Sequence, residues 1–370
     1  MSGRVTIVYG DEFALYNFGR EHPLDRLGPL LSFELARRLI GDDPNVRFEP
    51  PPAATRDEVL LFHTPDYYDR VAAACATGEG FLDYGDTPAF PGGLEASQYI
   101  VGGSLLAARR IAAGEADHAF NLGGGLHHAA PDSASGFCIF NDAAVAIAWL
   151  LGEGGYRCVA YIDIDAHHGD GVMYGFYADD RVLDIDFHED GRFLFPGTGS
   201  VPETGDGAAR GLKANVPLPP YAGDADFRAA FSAVVPPLVE TFSPEVILMQ
   251  CGADGHAGDP LTHLQYGLDS YHLAVEMVHR LAHQVAGGRL ILFGGGGYNL
   301  ANVGTAWGTI AARLAGAPVP EETPADWRDL FENATGQPAP VRLRSPAAPG
   351  EIRPGLQATL DDLKRRLGLF

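Results

Sequence analysis

The middle of the chain reads Tyr161-Ile-Asp-Ile-Asp-Ala-His-His-Gly-Asp-Gly171, a hydrophobic strand pattern that runs into a dense group of ionisable side chains. Such groups are expensive to bury unless their charge is compensated, and a cation would compensate it. Asp163 and Asp165 share one face of the strand, so both can point to one ion. Carboxylate and imidazole ligands suit Zn²⁺, and less often Fe²⁺ or Mn²⁺. The stretch predicts a metal site at the end of a buried strand; the alternative is a salt-bridged strand end with packed histidines.

Similar apolar runs recur along the chain and alternate with helical patterns. The predicted strands are Val5–Tyr9, His118–Leu122, Val159–Asp165, Val182–Phe187, Val246–Cys251 and Arg289–Phe293. The predicted helices are Pro29–Leu39, Leu94–Ala113, Asp142–Leu151, Asp226–Phe242 and Ser270–Ala286. This alternation predicts a single α/β domain with three layers, α/β/α, in which helices cover both faces of a mostly parallel central sheet.

The composition changes near residue 317, so we predict that residues 1–316 form the catalytic domain and residues 317–370 an extension of it. The segment Ala317–Arg353 is rich in proline and has few periodic apolar positions, which predicts a loop-rich course over the surface. The last residues carry leucines at helical spacing, and these are Leu356, Leu360, Leu363 and Leu367. They predict a C-terminal helix that packs on the same domain.

Composition and charge disfavour several classes of function. The longest apolar run, Ala143–Leu151, is far shorter than the about 20 residues that a membrane helix needs. A net charge of −22 argues against direct binding to nucleic acid, because phosphates would be repelled. The charge suits a cationic partner, although carboxylates that only keep a protein soluble would produce it too. The first residues lack a signal-peptide pattern and the four cysteines form no CxxC pair, so a cytoplasmic protein is expected.

Polar side chains follow four of the predicted strands. Besides the Asp-rich stretch, these side chains are His127 and His128, Asp254 and Tyr298. Parallel sheets bind ligands beyond the carboxyl ends of their strands, so we expect these groups to converge on one site. A lone histidine is most often a packed core residue. A histidine pair after three glycines, which let the backbone approach closely, points more plausibly into a site.

Several other catalytic motifs are absent from the sequence. The four glycines before Tyr298 are not followed by the Lys-Ser/Thr of a phosphate-binding loop, and alone they indicate only a sharp turn. A tyrosine beside a metal can nevertheless donate to a developing oxyanion. Neither a Gly-x-Ser-x-Gly elbow nor a His-Glu-x-x-His helix occurs, which disfavours a serine hydrolase and a standard zinc protease. No second complete set of metal ligands is recognised, so one divalent ion per chain is expected.

Taken together, these motifs resemble the histone deacetylase superfamily, and particularly its bacterial acetoin-utilisation branch, from about Val5 to Leu314. The matching motifs, in order, are His22-Pro, Gly123-Gly-Gly-Leu-His-His-Ala129, Gly136-Phe-Cys-Ile-Phe-Asn-Asp142, Asp163-Ile-Asp-Ala-His-His-Gly-Asp-Gly171, Phe195-Pro-Gly-Thr-Gly199 and Gly294-Gly-Gly-Gly-Tyr-Asn-Leu300. The resemblance implies an arginase/deacetylase-like fold and a metal-dependent amidohydrolase. It implies hydrolysis of acetyl-lysine in a protein or peptide to lysine and acetate.

The resemblance also assigns the metal ligands and the catalytic pair. It implies that Asp165, His167 and Asp254 bind Zn²⁺, or Fe²⁺ in vivo. Three protein ligands leave an open position for water and the substrate carbonyl, as catalytic zinc requires. His127 and His128 would be the paired catalytic imidazoles.

Further roles follow from the same resemblance. Asp163 would orient one imidazole and Asp170 the other, while Tyr298 would complete polarisation of the carbonyl. A narrow channel would grip the lysine stem between Phe137 and Phe195. Three further residues would contact the substrate: Gly136 by accepting a hydrogen bond from its amide, Asp86 by holding its backbone at the rim, and Leu261 by leaving the pocket uncharged.

Two regions depart from the family pattern. Asp186 stands where many relatives have serine, in a region that forms a monovalent-cation site in the family. With Asp184 nearby, binding of a structural K⁺ or Na⁺ is expected there. The segment His22–Arg26 is shorter than usual, and Arg26 is the candidate for the family's internal-channel arginine.

Three alternatives stay open. An acetylpolyamine amidohydrolase would share the fold and the mechanism, but such enzymes often carry an acidic residue at the position of Leu261. An arginase-type manganese hydrolase would need a second Asp-x-Asp-like motif, whereas Asp254 and Asp259 are five residues apart. A non-catalytic module that binds acetyl-lysine would be expected to lack a ligand or the tyrosine.

Overall fold

A parallel β-sheet forms the centre of the molecule in a computed structural model that describes residues 3–343 and 352–368. Its strands within these ranges are β1 (Val5–Val8), β2 (Val46–Glu49), β3 (His118–Asn121), β4 (Val159–Asp163), β5 (Val182–Glu189), β6 (Lys213–Leu218), β7 (Val246–Gln250) and β8 (Leu290–Phe293). Their spatial order is β2-β1-β3-β8-β7-β4-β5-β6, and each pairing between them is parallel. The predicted parallel sheet is confirmed.

Helices cover both faces of this sheet. They are α1 (Leu27–Ile40), α2 (Arg56–Val59), α3 (Pro65–Thr77), α4 (Gly93–Ala112), α5 (Asp142–Leu151), α6 (Asp170–Gly175), α7 (Asp224–Phe242), α8 (Leu268–Val285), α9 (Leu300–Leu314), α10 (Ala325–Thr335) and α11 (Pro354–Leu367). One hydrophobic core joins the sheet to α7, α8 and α9, and another joins its opposite face to α3, α4 and α5. The three-layer α/β/α prediction is therefore confirmed.

Strand β4 illustrates why these runs form a sheet covered on both sides. Its residues are all buried, and successive side chains point to opposite faces. Tyr161 belongs to the core shared with α5, whereas Ile162 belongs to the core shared with α7. A strand buried on both faces reads as a continuous apolar run, which is the pattern that made the inner strands recognisable. The strand ends at Asp163, so Asp165 lies in the loop rather than in the predicted strand.

Two strands were not predicted, and both lie at the edges of the sheet. The residues of β2 are partly or fully exposed, and its apolar residues alternate with charged ones. Strand β6 contains Pro217, and proline within sheets is largely confined to edge strands. Strand β2 is partly exposed and therefore needs less apolar sequence, whereas β6 is almost fully buried but is interrupted by Lys213, Asn215 and Pro217. Neither segment showed the pattern of the inner strands.

The region after α9 is more ordered than predicted. Helix α10 lies within Ala317–Arg353, the segment expected to be loop-rich, so that prediction is wrong over α10. Trp327 and Phe331 of this helix are buried against Leu31 and Leu35 of α1. Two large aromatic side chains four residues apart bury enough apolar surface to hold a short helix against the domain. Residues 344–351 of the predicted loop lie outside the described residues.

The C-terminal helix α11 packs against β6 and α7. Its leucines at the predicted positions Leu356, Leu360 and Leu363 are buried in the core on that face, and Leu367 is partly buried there. The boundary between residues 1–316 and 317–370 stays a prediction. Within the described ranges, none of the helices has the length and apolarity needed to cross a membrane.

Candidate metal centre and active site

Four neighbouring strands bring the predicted side chains together. In the sheet, β3, β8, β7 and β4 lie side by side. Because the strands are parallel, the loops after them all start at the carboxyl end of the sheet. The loop after β3 carries the paired histidines, and the loop after β8 carries the tyrosine. The loops after β7 and β4 carry the acidic groups and His167. The expected convergence of four strand ends on one site is what the topology produces.

Asp165, His167 and Asp254 form a compact set of possible metal ligands. One ligand atom from each lies within 4.8 Å of the others, and all three side chains are buried. Nδ1 of His167 lies 3.1 Å from Oδ1 of Asp165 and 2.9 Å from Oδ2 of Asp254. The three atoms that would bind an ion therefore already face one another.

The protein fixes the second oxygen of each carboxylate. Oδ2 of Asp165 accepts hydrogen bonds from the side chain of Gln250 at 2.7 Å and the backbone N–H of Gly296 at 2.8 Å. Oδ1 of Asp254 accepts from the backbone N–H of Ala166 at 2.7 Å. One oxygen of each carboxylate is thus held in place, and the other is directed to the shared point, which is how surrounding hydrogen bonds orient metal ligands.

The electrostatics of this set fit a divalent cation. Burial and the neighbouring charge of Asp165 raise the pKa of Asp254 to about 8. Burial opposes protonation of His167, but hydrogen bonds with the two carboxylates outweigh it and raise the pKa of His167 to about 10. Two buried carboxylates and one imidazole therefore attract positive charge, which a dication would supply.

His127 and His128 form two adjacent histidine–aspartate pairs. Nδ1 of His127 donates to Oδ2 of Asp163 at 2.8 Å, and Nδ1 of His128 donates to Oδ1 of Asp170 at 2.7 Å. The Nε2 atoms of the two rings lie 3.0 Å apart. Each aspartate therefore fixes one ring nitrogen as the donor and leaves Nε2 to exchange a proton at the site.

The two imidazoles differ in proton affinity. Burial disfavours a charged His127, but the negative charges of Asp163 and Asp165 outweigh burial and raise its pKa to about 10. The pKa of His128 is lowered, first by burial and then by the charge of His127. A pair with one protonated and one neutral member results, which is the arrangement needed for acid and base roles in one site.

Tyr298 lies at the edge of this site and keeps its proton. Its ring makes edge contacts with Phe137 and His167, at centroid distances of 5.9 and 6.4 Å. Burial, followed by the charge of Asp254, holds the pKa of the phenol well above its usual value. The backbone N–H of Tyr298 donates to Oδ2 of Asp259 at 2.8 Å, so this aspartate positions the tyrosine loop rather than only starting a turn.

The glycines before Tyr298 allow the loop to pass close to the ligands. A Cβ atom on Gly296 would lie 2.3 Å from Oδ2 of Asp254 and 2.8 Å from Oδ2 of Asp165. Any larger residue would displace a carboxylate of the metal set. Glycine is therefore required at position 296 to avoid a steric clash with the metal ligands, and not only to form a turn.

A narrow cavity leads to the site. Its lining includes residues of the site together with Leu24, Gly136, Phe137 and Cys138. The ring of Phe195 is half exposed, lies 5.2 Å from the ring of His128 and lines a neighbouring surface groove. These positions agree with an apolar channel beside the metal set, of which Asp165 lines the cavity. Leu24 and Cys138 were not predicted, because a single apolar side chain carries no signal of a channel wall.

Phe137 has an unusual backbone that two other residues hold in place. Its φ is 67°, a left-handed conformation that side chains rarely adopt. The hydroxyl of Tyr16 donates to the carbonyl of Phe137 at 2.6 Å, and the hydroxyl of Thr87 accepts from its N–H at 3.0 Å. Strain of this kind persists only where neighbours enforce it. Tyr16 and Thr87 are distant in sequence, so only the fold reveals this role.

Two predicted substrate residues lie at the surface. Asp86 is exposed on a groove that also includes His128 and Phe195, which is a rim position. Partial burial of the carboxyl, followed by the hydrogen bond with Asp83 and the like charge of Asp83, raises the pKa of Asp86 to about 6. Leu261 is 37% exposed and lies outside the cavity lining. The carboxylate of Asp259 nevertheless links it to the site, because it accepts hydrogen bonds from the backbone N–H groups of both Leu261 and Tyr298.

Arg26 lines a second cavity, which adjoins the first. Both cavities share Leu24, Leu126 and Gly295 in their walls. Its lining also includes Ile100 and Trp307. The position agrees with an arginine beside an internal channel, and its role stays a prediction.

The region proposed for a monovalent cation contains buried carboxyl groups. Oδ2 of Asp186 accepts from the N–H of Gly169 at 2.7 Å, and Oδ1 lies 2.6 Å from Nδ1 of His188. Burial raises the pKa of Asp186 to about 6 and raises that of Asp184 well above its usual value. Both oxygens of Asp186 already have protein partners, so binding of K⁺ or Na⁺ stays a prediction.

A second group of possible metal ligands lies at the other end of β3. His118, His279 and His283 each offer one ring nitrogen, and these atoms lie within 4.8 Å of one another. The described residues therefore contain a second group of possible ligands that was not recognised from the sequence, and the expectation of one divalent ion per chain stays a prediction. The spacing of His279 and His283, one helical turn apart in a predicted helix, was a visible signal.

Comparisons with known proteins agree with this architecture. The chain matches the histone deacetylase domain over residues 31–314. It is 41% identical over 329 residues to the acetoin utilization protein AcuC of Bacillus subtilis, covering 86% of this chain and 84% of that protein. The identity to AcuC of Staphylococcus aureus strain MSSA476 is 38% over 357 residues, covering 92% and 90%.

A solved structure shows the same fold. An HDAC homologue crystallised in complex with SAHA superposes with a TM-score of 0.85 at 28% sequence identity, covering 98% of this chain and 100% of that chain. The domain match and the AcuC relatives together bear out the resemblance seen in the sequence motifs. The chain therefore belongs to the histone deacetylase family and is a deacetylase of the AcuC-like type.

Proposed function

We propose that the protein is a Zn²⁺-dependent lysine deacetylase that hydrolyses the acetyl amide of Nε-acetyl-lysine in a protein or peptide. The observation that carries this proposal is the juxtaposition of the candidate metal ligands, Asp165, His167 and Asp254, with the histidine pair beside one cavity, which Asp165 and both histidines line. A metal, a proton-transfer pair and an apolar channel are the parts that amide hydrolysis on a lysine stem requires.

The ligand set suits zinc by its chemistry. Two carboxylates and one imidazole leave coordination open, as catalytic zinc sites do, and Fe²⁺ accepts the same ligands. When bound, the ion supplies Lewis-acid polarisation of the acetyl carbonyl and lowers the pKa of water. An arginase-type site would need ligands for a second ion beside the first, and the described residues offer no such second set next to Asp165.

The histidine pair moves the protons. Nε2 of one imidazole removes a proton from the attacking water, whose oxygen bonds to the acetyl carbon. The C–N bond then breaks, and Nε2 of His128 delivers a proton to the leaving nitrogen, which gives acetate and a free lysine amine. Asp163 and Asp170 keep Nδ1 of each ring protonated, so that Nε2 faces the reaction.

Tyr298 stabilises the charge that develops on the carbonyl oxygen. Its high pKa keeps the hydroxyl protonated, so it can donate to the oxyanion. The side chain is held by contacts on both sides, and Asp259 fixes its backbone. A donor that is already oriented costs little reorganisation during the reaction.

The channel favours a lysine stem on a peptide. Phe137 and the half-exposed Phe195 offer apolar surface to four methylene groups, and Gly136 offers a backbone carbonyl to the amide. Asp86 at the rim offers an acceptor for backbone N–H groups of a peptide. An acetylpolyamine is the second candidate, because it presents a similar stem, but Leu261 offers no charge to its second ammonium group.

The net charge and the cysteines of the protein fit the same proposal. The net charge of −22 favours a cationic lysine-rich substrate over nucleic acid. The four cysteines are unpaired and three of them are buried, which suits a reducing cytoplasm.

An acetate-release assay on an Nε-acetyl-lysine peptide tests the proposal. The protein is equilibrated with excess Zn²⁺ and dialysed, and an Asp254→Ala variant treated in the same way serves as the control. We expect acetate and free lysine in equal amounts from the wild type only. Equal acetate from both proteins, or none from either, would contradict zinc-dependent lysine deacetylation.

A further inference from the structure

Three histidine side chains meet at the beginning of β3, at the opposite end of this strand from the active site. Nε2 of His279 lies 3.0 Å from Nε2 of His118 and 3.2 Å from Nε2 of His283. The three rings stand nearly perpendicular to one another, with interplanar angles of 83°, 83° and 77°. The same nitrogen of each ring therefore points to one place from three directions.

Hydrogen bonding among the rings does not account for this arrangement. An imidazole nitrogen either donates one hydrogen or accepts with one in-plane lone pair. Nε2 of His279 faces two other ring nitrogens at hydrogen-bonding distance, so it can satisfy only one of them. A cation at the centre would accept the lone pairs of all three nitrogens at once.

Two of the three rings have lowered pKa values, which suits metal binding. Burial, followed by the two neighbouring histidines, lowers the pKa of His118 to about 4. Burial and then His283 lower the pKa of His279 to about 4. Both rings are therefore neutral near pH 7, and a neutral imidazole is the form that binds a metal.

The three ligands stand on rigid elements. His118 is fully buried on β3, which is paired on both sides by β1 and β8. His279 and His283 lie one turn apart on α8, so their side chains emerge on one face of the helix. A Cβ atom on Gly3 would lie 2.9 Å from Nε2 of His118, so the absence of a side chain there leaves space beside the ring.

We propose that His118, His279 and His283 form a second metal site, for a divalent transition ion of the Zn²⁺ type, that joins α8 to the start of β3. Three imidazoles suit Zn²⁺, Ni²⁺ or Cu²⁺ and disfavour Mg²⁺ and Ca²⁺, which prefer oxygen ligands. His279 and His283 are only partly buried, so an ion can enter from solvent. The site shares no residue with the catalytic set, and its role is to stabilise the fold.

The test counts zinc ions per chain in four versions of the untagged full-length protein. Each is equilibrated with Zn²⁺, dialysed and analysed by mass spectrometry for metal content. The wild type is compared with His279→Gln/His283→Gln, with Asp254→Ala, and with Gln284→Ala. Gln284 is an exposed neighbour on the same helix, so the last variant controls for changes to α8. The versions are also assayed on acetyl-lysine peptide.

We expect two ions in the wild type and in Gln284→Ala, and one ion in each of the other two variants. His279→Gln/His283→Gln should keep wild-type deacetylation, whereas added Zn²⁺ should raise the Tm of Asp254→Ala. A wild type with a single ion that Asp254→Ala removes would overturn the proposal, as would two ions in His279→Gln/His283→Gln. Should that variant fail to fold, Co²⁺ added to Asp254→Ala must give the visible absorption of an imidazole-bound ion; its absence would overturn the proposal too. These outcomes concern metal content, so they are separate from failure of the lysine assay.

Discussion

Nε2 of His127 and Nε2 of His128 lie 3.0 Å apart, while Nδ1 of each ring donates to a different aspartate. The two pairs are built alike but differ in charge. The carboxylates of Asp163 and Asp165 surround His127 and raise its pKa, whereas burial and the neighbouring imidazole lower that of His128. A proton can therefore be held on one ring while the other accepts, and a dication beside Asp165 would reduce this difference by offsetting its charge.

Replacing His128 by alanine should lower kcat on an acetyl-lysine peptide by about 10²–10⁴, the usual effect of losing acid–base catalysis. The metal ligands are untouched, so zinc content should stay at the wild-type value. Steady-state kinetics and metal analysis measure both. Gln284→Ala, at an exposed position of α8, is the control and should leave both kcat and zinc content unchanged. A kcat of His128→Ala within a factor of two of wild type would remove this residue from the mechanism.

Tyr298→Phe should lower kcat by about 10²–10³, because one hydrogen bond to the oxyanion is lost. The ring contacts with Phe137 and His167 remain, so the Tm and the zinc content should not change. Tyr177→Phe removes a hydroxyl elsewhere on the surface and should have no effect on kcat. Equal kcat values for the two variants would show that the phenol takes no part in catalysis.

Asp254→Ala should abolish binding of the catalytic ion, because two protein ligands remain where three are needed. Metal content measured after dialysis should fall by one ion per chain, and deacetylation should disappear with it. Two manganese ions that both depend on Asp254 would instead indicate an arginase-type centre and contradict the assignment of a single catalytic ion.

The affinity for peptides should depend on pH through Asp86, whose pKa is raised to about 6 by burial and by Asp83. A carboxyl with a raised pKa becomes neutral as the pH falls through that value, and the neutral form is a weaker acceptor for backbone N–H groups. KM for an acetyl-lysine peptide should therefore rise as the pH is lowered through about 6. Asp86→Ala should raise KM at neutral pH and remove this dependence.

A minimal substrate separates the effect of Asp86 on the peptide backbone from other pH effects on KM. An acetyl-lysine derivative without backbone amides has nothing to bind to Asp86, so its KM should change little between wild type and Asp86→Ala. If KM of the minimal substrate follows the same pH curve as that of the peptide, Asp86 does not act on the substrate backbone.

The inner sheet and the convergence of the candidate site residues could be predicted because each inner strand carries a local signal in the sequence. Strands such as β4 and β7 are buried on both faces and therefore appear as continuous apolar runs. Parallel strands also place their carboxyl ends at one end of the sheet. Once those strands were identified, the groups after them had to meet. The position of Asp165 and Asp254 in one set follows from this topology.

Other features depended on contacts between distant segments. Strand β6 was not recognised because it contains Pro217. Helix α10 is held by two aromatic residues that contact α1, almost 300 positions away in the sequence. The conformation of Phe137 depends on Tyr16 and Thr87, which no local pattern connects to it. Residues of this kind become recognisable only when the fold brings them together.

The central claim is that the acyl group is carried by a lysine side chain on a peptide, and a competition of substrates tests it most directly. We measure kcat/KM of the zinc-loaded enzyme for an acetyl-lysine peptide and for N-acetylspermidine. The salt is kept near 0.15 M, where the Debye length is about 8 Å, because the acidic protein attracts polycations at low salt. We predict that the peptide is better by at least about tenfold, which corresponds to about 1.4 kcal/mol of transition-state binding. A higher kcat/KM for N-acetylspermidine would contradict the account and establish an acetylpolyamine amidohydrolase in its place.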